Sequence, residues 1–160
     1  MKSADYWIKQ LNLTAHQEGG YYHQVLKANQ SITIGEQLPR ALYTSIYFLL
    51  TAENPSRFHR LTADEVWYFH EGASLTVHMI TSAGYYETIT LGKNPEAGEV
   101  LQTVVPKGVI FGSTVDEEYA LVSCMVAPGF EYEDFELFKR DELLAAYPAH
   151  EAIIRRLTRH

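Results

Sequence analysis

Apolar and polar positions follow two different periods along this chain. Residues 4 to 11 repeat at roughly helical spacing, with Ser3 or Asp5 placed to cap the start, and this predicts a short N-terminal helix. From residue 19 to residue 127 the period is closer to two. Segments such as "GGYYHQVLKA", "ALYTSIYFLL", "RFHRL", "EVWYFH", "SLTVHMIT", "GYYETITLG", "GEVLQTVVP", "GVIFGST" and "YALVSCMVA" are short, rich in Val, Ile, Thr and Tyr, and bounded by turn residues. No long helical segment separates them, so crossover helices and a parallel sheet are not expected. Helical spacing returns only in "RDELLAAYP" and "AHEAIIRRLT". The pattern predicts one mainly β domain over residues 1–160, a sandwich or barrel with short helices at its two ends. A double-sheet jelly roll removes most exposed strand edges.

Composition narrows the function. The chain has 160 residues, 46% of them hydrophobic, with a formal charge of −7. That charge disfavours a nucleic-acid surface, and no apolar run approaches the length of a membrane span. "MKSADYWIKQLNL" reads as an amphipathic helix rather than a signal peptide, so a cytoplasmic protein is expected. The single cysteine, Cys124, leaves no internal disulfide and no cysteine-rich zinc site. It lies in an apolar run where a packed thiol is expected.

The chemistry concentrates in "SRFHRLTADEVWYFHEG", residues 56–72. Side chains two apart on a strand share a face, so His59 and Leu61 point the same way. A turn at Thr62 to Asp64 would make a hairpin whose return strand brings Glu65 into the space of His59, with Gly72 ending it. A histidine beside a carboxylate is a general-base arrangement, the acid orienting the ring. Among tyrosines on strands that line or rim the barrel, Tyr21, Tyr22, Tyr47 and Tyr68 are candidates to return the proton, with Tyr47 and Tyr68 taken as catalytic. Trp67, Phe69 and Phe111 suit a flat or cyclic ligand. Arg57 and Arg60 near the mouth would contact a phosphate or carboxylate, with surface pairing as the plainer role. His70 is assigned to the ligand as well. For a metal, His59 and Glu65 supply two ligands where three are usual. His70, His78 and His23 could add to them only if their strands bend, and His70 is out of phase with Glu65 unless a bulge intervenes. Glu18, in "EGGYY", is a possible cavity residue, with Gly19 and Gly20 at turn or bulge positions.

The spacing in this stretch resembles the first motif of the cupin superfamily. That motif carries two histidines two apart, a glutamate four residues on and a glycine seven beyond it. The matching positions here are His59, Leu61, Glu65 and Gly72. The second motif, Pro-x-Gly and then a histidine, is matched by Pro106, Gly108 and Phe111. Two histidines are thus replaced by leucine and phenylalanine. Together, "EGGYY", "SIYFLL", "HRLTADEVWYFHEG", "VVPKG" and "VAPGFEYEDFEL" resemble one uncharacterised cupin family. The resemblance implies a jelly roll, commonly dimeric, similar in fold to sugar-nucleotide epimerases and seed storage proteins. The functional expectation is a cupin barrel holding a small cyclic polar metabolite, such as a sugar, a nucleotide-sugar or a nucleobase-like compound. Metal-independent proton transfer of the isomerase or epimerase kind would act on it. Its alternatives are a metal-dependent enzyme using His59 and Glu65, or a binding protein without chemistry. No cofactor is expected outside the metal alternative.

Overall fold

The segments of period two become strands, and the strands form two facing antiparallel sheets. The computed structural model describes residues 1–160. In chain order the elements are α1 (Ala4–Gln10), β1 (Thr14–Ala15), β2 (Tyr21–Lys27), β3 (Ser31–Ile32), β4 (Arg40–Ala41), β5 (Thr44–Thr51), β6 (Ser56–Leu61), β7 (Asp64–Gly72), β8 (Leu75–Ile80), β9 (Tyr86–Leu91), β10 (Gln102–Val105), β11 (Ile110–Val115), β12 (Tyr119–Ala127), β13 (Phe135–Leu137), α2 (Arg140–Ala146) and α3 (Glu151–Arg156). One sheet runs β1-β2-β5-β12-β7-β10 and the other β13-β6-β11-β8-β9, while β3 and β4 form a separate two-stranded ribbon. The helix α1 is capped as expected, the Ser3 hydroxyl accepting from the Tyr6 N–H at 3.1 Å.

Three layers of apolar contact hold this arrangement. Between the sheets lies the main core, with Phe48, Trp67, Val77, Phe111 and Val122 among its members. Outside the five-stranded sheet, Phe58, Ile80 and Ile110 pack against Leu143 of α2 and against Ile154 and Leu157. Outside the six-stranded sheet, Leu49, Tyr119 and Leu121 are covered by Leu13 and by Trp7 and Ile8 of α1. The terminal helices therefore seal the outer sheet faces. That is why β11 is buried at every position rather than at alternate ones. Each such side chain contributes about 1.5–3 kcal/mol when fully buried.

One expectation about strand pairing is corrected. The strands β6 and β7 do not form a hairpin: β6 pairs with β11 and β13, whereas β7 pairs with β10 and β12. The turn at Thr62 and Ala63 carries the chain from one sheet to the other, so His59 and Glu65 come from opposite sheets. The segment "DFEL" carries β13, which pairs with β6 from Leu61 to His59.

A bulge in β6 sets the side-chain directions around the site. Phe111 faces His59 and Ser113 faces Ser56, so three steps along β6 oppose two along β11. Ser56 and His59 consequently both point between the sheets, and Phe58 and Arg57 turn outward.

Candidate functional site

A cavity of about 250 Å³ lies between the sheets and is lined from both of them. The loop before β2 contributes His16 and Glu18, β2 contributes Tyr22 and Gln24, and β5 contributes Thr44 and Ile46. From β6 come His59 and Leu61, from β7 Glu65, and from β12 Cys124 and Val126. Phe130 and Tyr132 complete the lining from the segment after β12. That segment is held by Arg40, which donates to both carboxylate oxygens of Asp134 at 2.7 and 2.9 Å. The Tyr22 and Tyr132 hydroxyls meet at 3.2 Å.

Three titratable groups define the chemistry. The His59 ring is packed against Phe111, with centroids 4.1 Å apart, and against Phe135 at 5.4 Å. Its Nδ1 lies 2.7 Å from the Arg57 carbonyl, which can only accept, so Nδ1 carries the proton and Nε2 keeps a lone pair. Burial depresses the imidazole pKa to about 4, and the ring is neutral at pH 7. Its Nε2 faces the Glu18 carboxylate at 3.5 Å. Glu18 in turn accepts a hydrogen bond from Ser56, and its backbone N–H donates to His16 Nδ1 at 3.1 Å. Burial raises the Glu18 carboxyl pKa, against the opposing pull of His16 and Ser56.

Across the cavity, Glu65 is only 7% exposed. Burial, reinforced by the charge of Glu18, pushes its pKa up to about 8, so it holds its proton at neutral pH. Cys124 and Trp67 lie close enough to oppose that rise weakly, yet Glu65 Oε2 and Trp67 Nε1 both lack a hydrogen-bond partner. The site therefore holds an unprotonated imidazole nitrogen and a protonated carboxyl group whose Oε2 has no hydrogen-bond partner.

The other residues singled out from the sequence do not gather here. Tyr47 sits between Ile46 and Phe48 in β5 and points to the opposite sheet face, against the α1 cluster. Tyr68 likewise lies between inward-facing Trp67 and Phe69. The catalytic assignment of Tyr47 and Tyr68 is corrected by strand alternation; of the tyrosines considered, Tyr22 is the one that lines the cavity. His70 does occupy a bulge, since Val122 faces Phe69 and Leu121 faces Glu71. The bulge leaves it outside, with Nε2 2.6 Å from the Ser123 hydroxyl. His23 is on an exposed strand opposite Tyr47. His78 is engaged by Tyr86 at 2.6 Å and Thr114 at 2.8 Å. Trp67, Phe69 and Phe111 belong to the packed core and do not line the cavity. Arg60 pairs with Glu136 at 2.7 Å on the surface, and Arg57 extends into an outer cleft. The partner that faces His59 is Glu18, rather than Glu65. The residues that sequence reasoning passed over are His16, Tyr132 and the Glu18–Ser56 contact.

Leu61 and Phe111 bring only hydrocarbon to the site, and the histidines and carboxylates that line the cavity are not arranged as a three-ligand metal group. Cys124 faces the cavity but is 1% exposed, and burial with the nearby charges of Glu65 and Glu18 pushes its thiol well above the usual range. Folded protein at pH 8 is expected to react with a disulfide reagent roughly a hundredfold more slowly than unfolded protein. Rapid labelling of the folded chain would contradict this placement.

Relatives extend over nearly the whole chain. A hypothetical protein from Leishmania major matches with TM-score 0.95 and 41% identity, covering 99% of this chain and 100% of that one. A Shewanella oneidensis protein of solved structure matches with TM-score 0.93 and 48% identity, with 99% of both chains covered. The uncharacterized Saccharomyces cerevisiae protein YML079W is 29% identical over 153 residues, 86% of this chain and 76% of that protein. Oxalate decarboxylase from Bacillus subtilis, an enzyme with Mn(II) centres, shares the fold alone, at 15% identity and TM-score 0.58 over 89% of this chain and 36% of its own. No helix is long and apolar enough to cross a membrane. A family model described as "Cupin superfamily (DUF985)" matches residues 5–138, and the chain belongs to that family.

Proposed function

We propose that this protein binds a small polar metabolite in the cavity and moves a proton on it, as an isomerase or epimerase does. The observation that carries the reading is that one cavity is lined both by His59, whose Nε2 keeps a lone pair, and by a protonated Glu65 whose Oε2 has no hydrogen-bond partner. His59 is the base and takes a proton from the substrate. Glu65 is the acid and supplies its own proton at a second position. Passage of one proton from the His59 imidazolium to the Glu65 carboxylate, directly or through water, restores both groups. Glu18 faces the imidazolium that forms, and its charge supports that form.

The cavity holds about eight water molecules' worth of volume. That suits a ring of monosaccharide or nucleobase size. A nucleotide-sugar would fit only with its nucleotide outside. We further propose a cytoplasmic homodimer. A second copy would cover the apolar residues Leu26, Ile34, Leu38 and Leu42, which are 57%, 49%, 59% and 37% exposed on the β2 to β4 segment.

Proton transfer is tested by incubating the protein in D2O with a panel of cyclic sugars and nucleobases and following deuterium incorporation by NMR. His59→Gln and Glu65→Gln are expected to slow incorporation by about 10²-fold while thermal-shift binding persists. Binding without any exchange would instead make this a ligand-binding protein.

A further inference from the structure

The chain is acidic, yet one face of it is not. Outside the barrel, a cleft of about 680 Å³ is lined by Arg57, Lys139, Arg140, Arg155 and Arg159, with Asp141 as its one acidic side chain. The ion pairs of the molecule include Arg155 with Glu151, but none involves Arg57, Lys139, Arg140 or Arg159. With 20 acidic and 13 basic residues, acids are in surplus, and this cluster still goes without them.

Hydrogen bonds fix the cleft in shape. Arg140 spends its donors on the C-terminal tail, reaching the Thr158 hydroxyl at 3.0 Å, the Thr158 and Arg155 carbonyls at 2.8 and 2.6 Å, and His160 Nδ1 at 2.8 Å. It is the clasp that holds Arg159 opposite Arg57. Arg57 is tethered by Nη1 alone, to the Glu18 and Pro55 carbonyls at 3.4 and 3.3 Å. Arg159 is tethered by Nη1 to the Gln17 carbonyl at 2.7 Å. Each guanidinium thus keeps Nε and Nη2 without a protein acceptor, the planar fork that matches a phosphate oxygen pair. Partial burial and the charge of Arg159 both press the Arg57 pKa downward, the signature of two cations that lack a counter-ion.

We infer that this cleft is a binding site for a phosphate-bearing small molecule, held between Arg57 and Arg159 and separate from the barrel cavity. The two sites share one peptide: the Arg57 carbonyl holds the His59 ring in the cavity while the Arg57 guanidinium faces the cleft.

Isothermal titration of the full chain with inorganic phosphate and with pyrophosphate tests it, against sodium chloride of equal ionic strength. Saturable binding is expected, pyrophosphate the tighter, weakened at least tenfold by Arg159→Gln and by Arg57→Gln and unchanged by Lys93→Gln, whose ammonium pairs with Glu71 away from the cleft. Arg159 is exposed, so its variant reads the site even should the Arg57 variant fold poorly. A response no greater than that of chloride, or equal binding by wild type and Arg159→Gln, would overturn the inference.

Discussion

Gly19→Ala is expected to unfold much of what makes the site, at a cost on the order of 4 kcal/mol. Two terms add. Gly19 has φ of +115°, a backbone region that side-chain-bearing residues rarely adopt. A Cβ there would also stand 1.9 Å from the Pro55 carbonyl oxygen and 2.6 Å from Arg57 Nη1. The backbone must retreat from β6, and with it goes the bond from the Arg57 N–H to the Glu18 carbonyl at 2.8 Å. Glu18 then loses Ser56 and its place before His59. Gly108→Ala is the control. Its φ is +82°, but nothing lies within 4 Å of the added carbon, so only the backbone cost of about 1 kcal/mol remains. Urea unfolding of the two variants separates the contributions; equal losses would mean that close approach at Gly19 is not what seats Glu18.

That glycine also marks where the sequence stops being readable. Strands such as β5 and β12 are legible because long apolar runs have few other ways to be buried, and their extents were anticipated within a few residues. His59 and Glu65 reach one cavity as their spacing implies. The route differs, because a short turn looks the same whether it closes a hairpin or carries the chain between sheets. Strict alternation from His59 puts Arg57 inside; the bulge in β6 puts it outside, and nothing in "SRFHRL" announces a bulge. Tyr47 fails for the opposite reason. Alternation there is regular, and the apolar neighbours Ile46 and Phe48 already claim the inner face. His16 and Glu18 lie before β2, where no period operates. Their positions come from backbone turns at Gly19 and Gly20 and from contacts with residues some forty positions away, such as Ser56.

Stability is expected to decline on the alkaline side of pH 6.5, and Glu65→Gln is expected to reduce that decline. Glu65 rises from 4.5 to about 8 on folding. Below pH 4.5 the folded and unfolded chains both hold this proton. Between pH 4.5 and 8 only the folded chain does, so stability falls as pH rises through that window. At about 1.4 kcal/mol per pH unit the total is on the order of 5 kcal/mol. His59 and His78 work the other way. Each drops from 6.5 to about 4 on folding, so their contribution is complete above pH 6.5 and is lost as pH falls toward 4. Between pH 6.5 and 8 the lowered histidines are neutral in both states, and the falling slope comes from Glu65 together with Glu18, whose carboxyl is raised by the same burial. Glutamine keeps the shape of the protonated carboxyl and cannot ionise. The variant should therefore match wild type near pH 4.5, exceed it at pH 8, and decline less steeply than wild type from pH 6.5 to 8 in denaturant titrations. An alkaline decline that persists unchanged in Glu65→Gln would mean that this carboxyl is already ionised at neutral pH. The protonated acid of the proposed proton transfer would be lost with it.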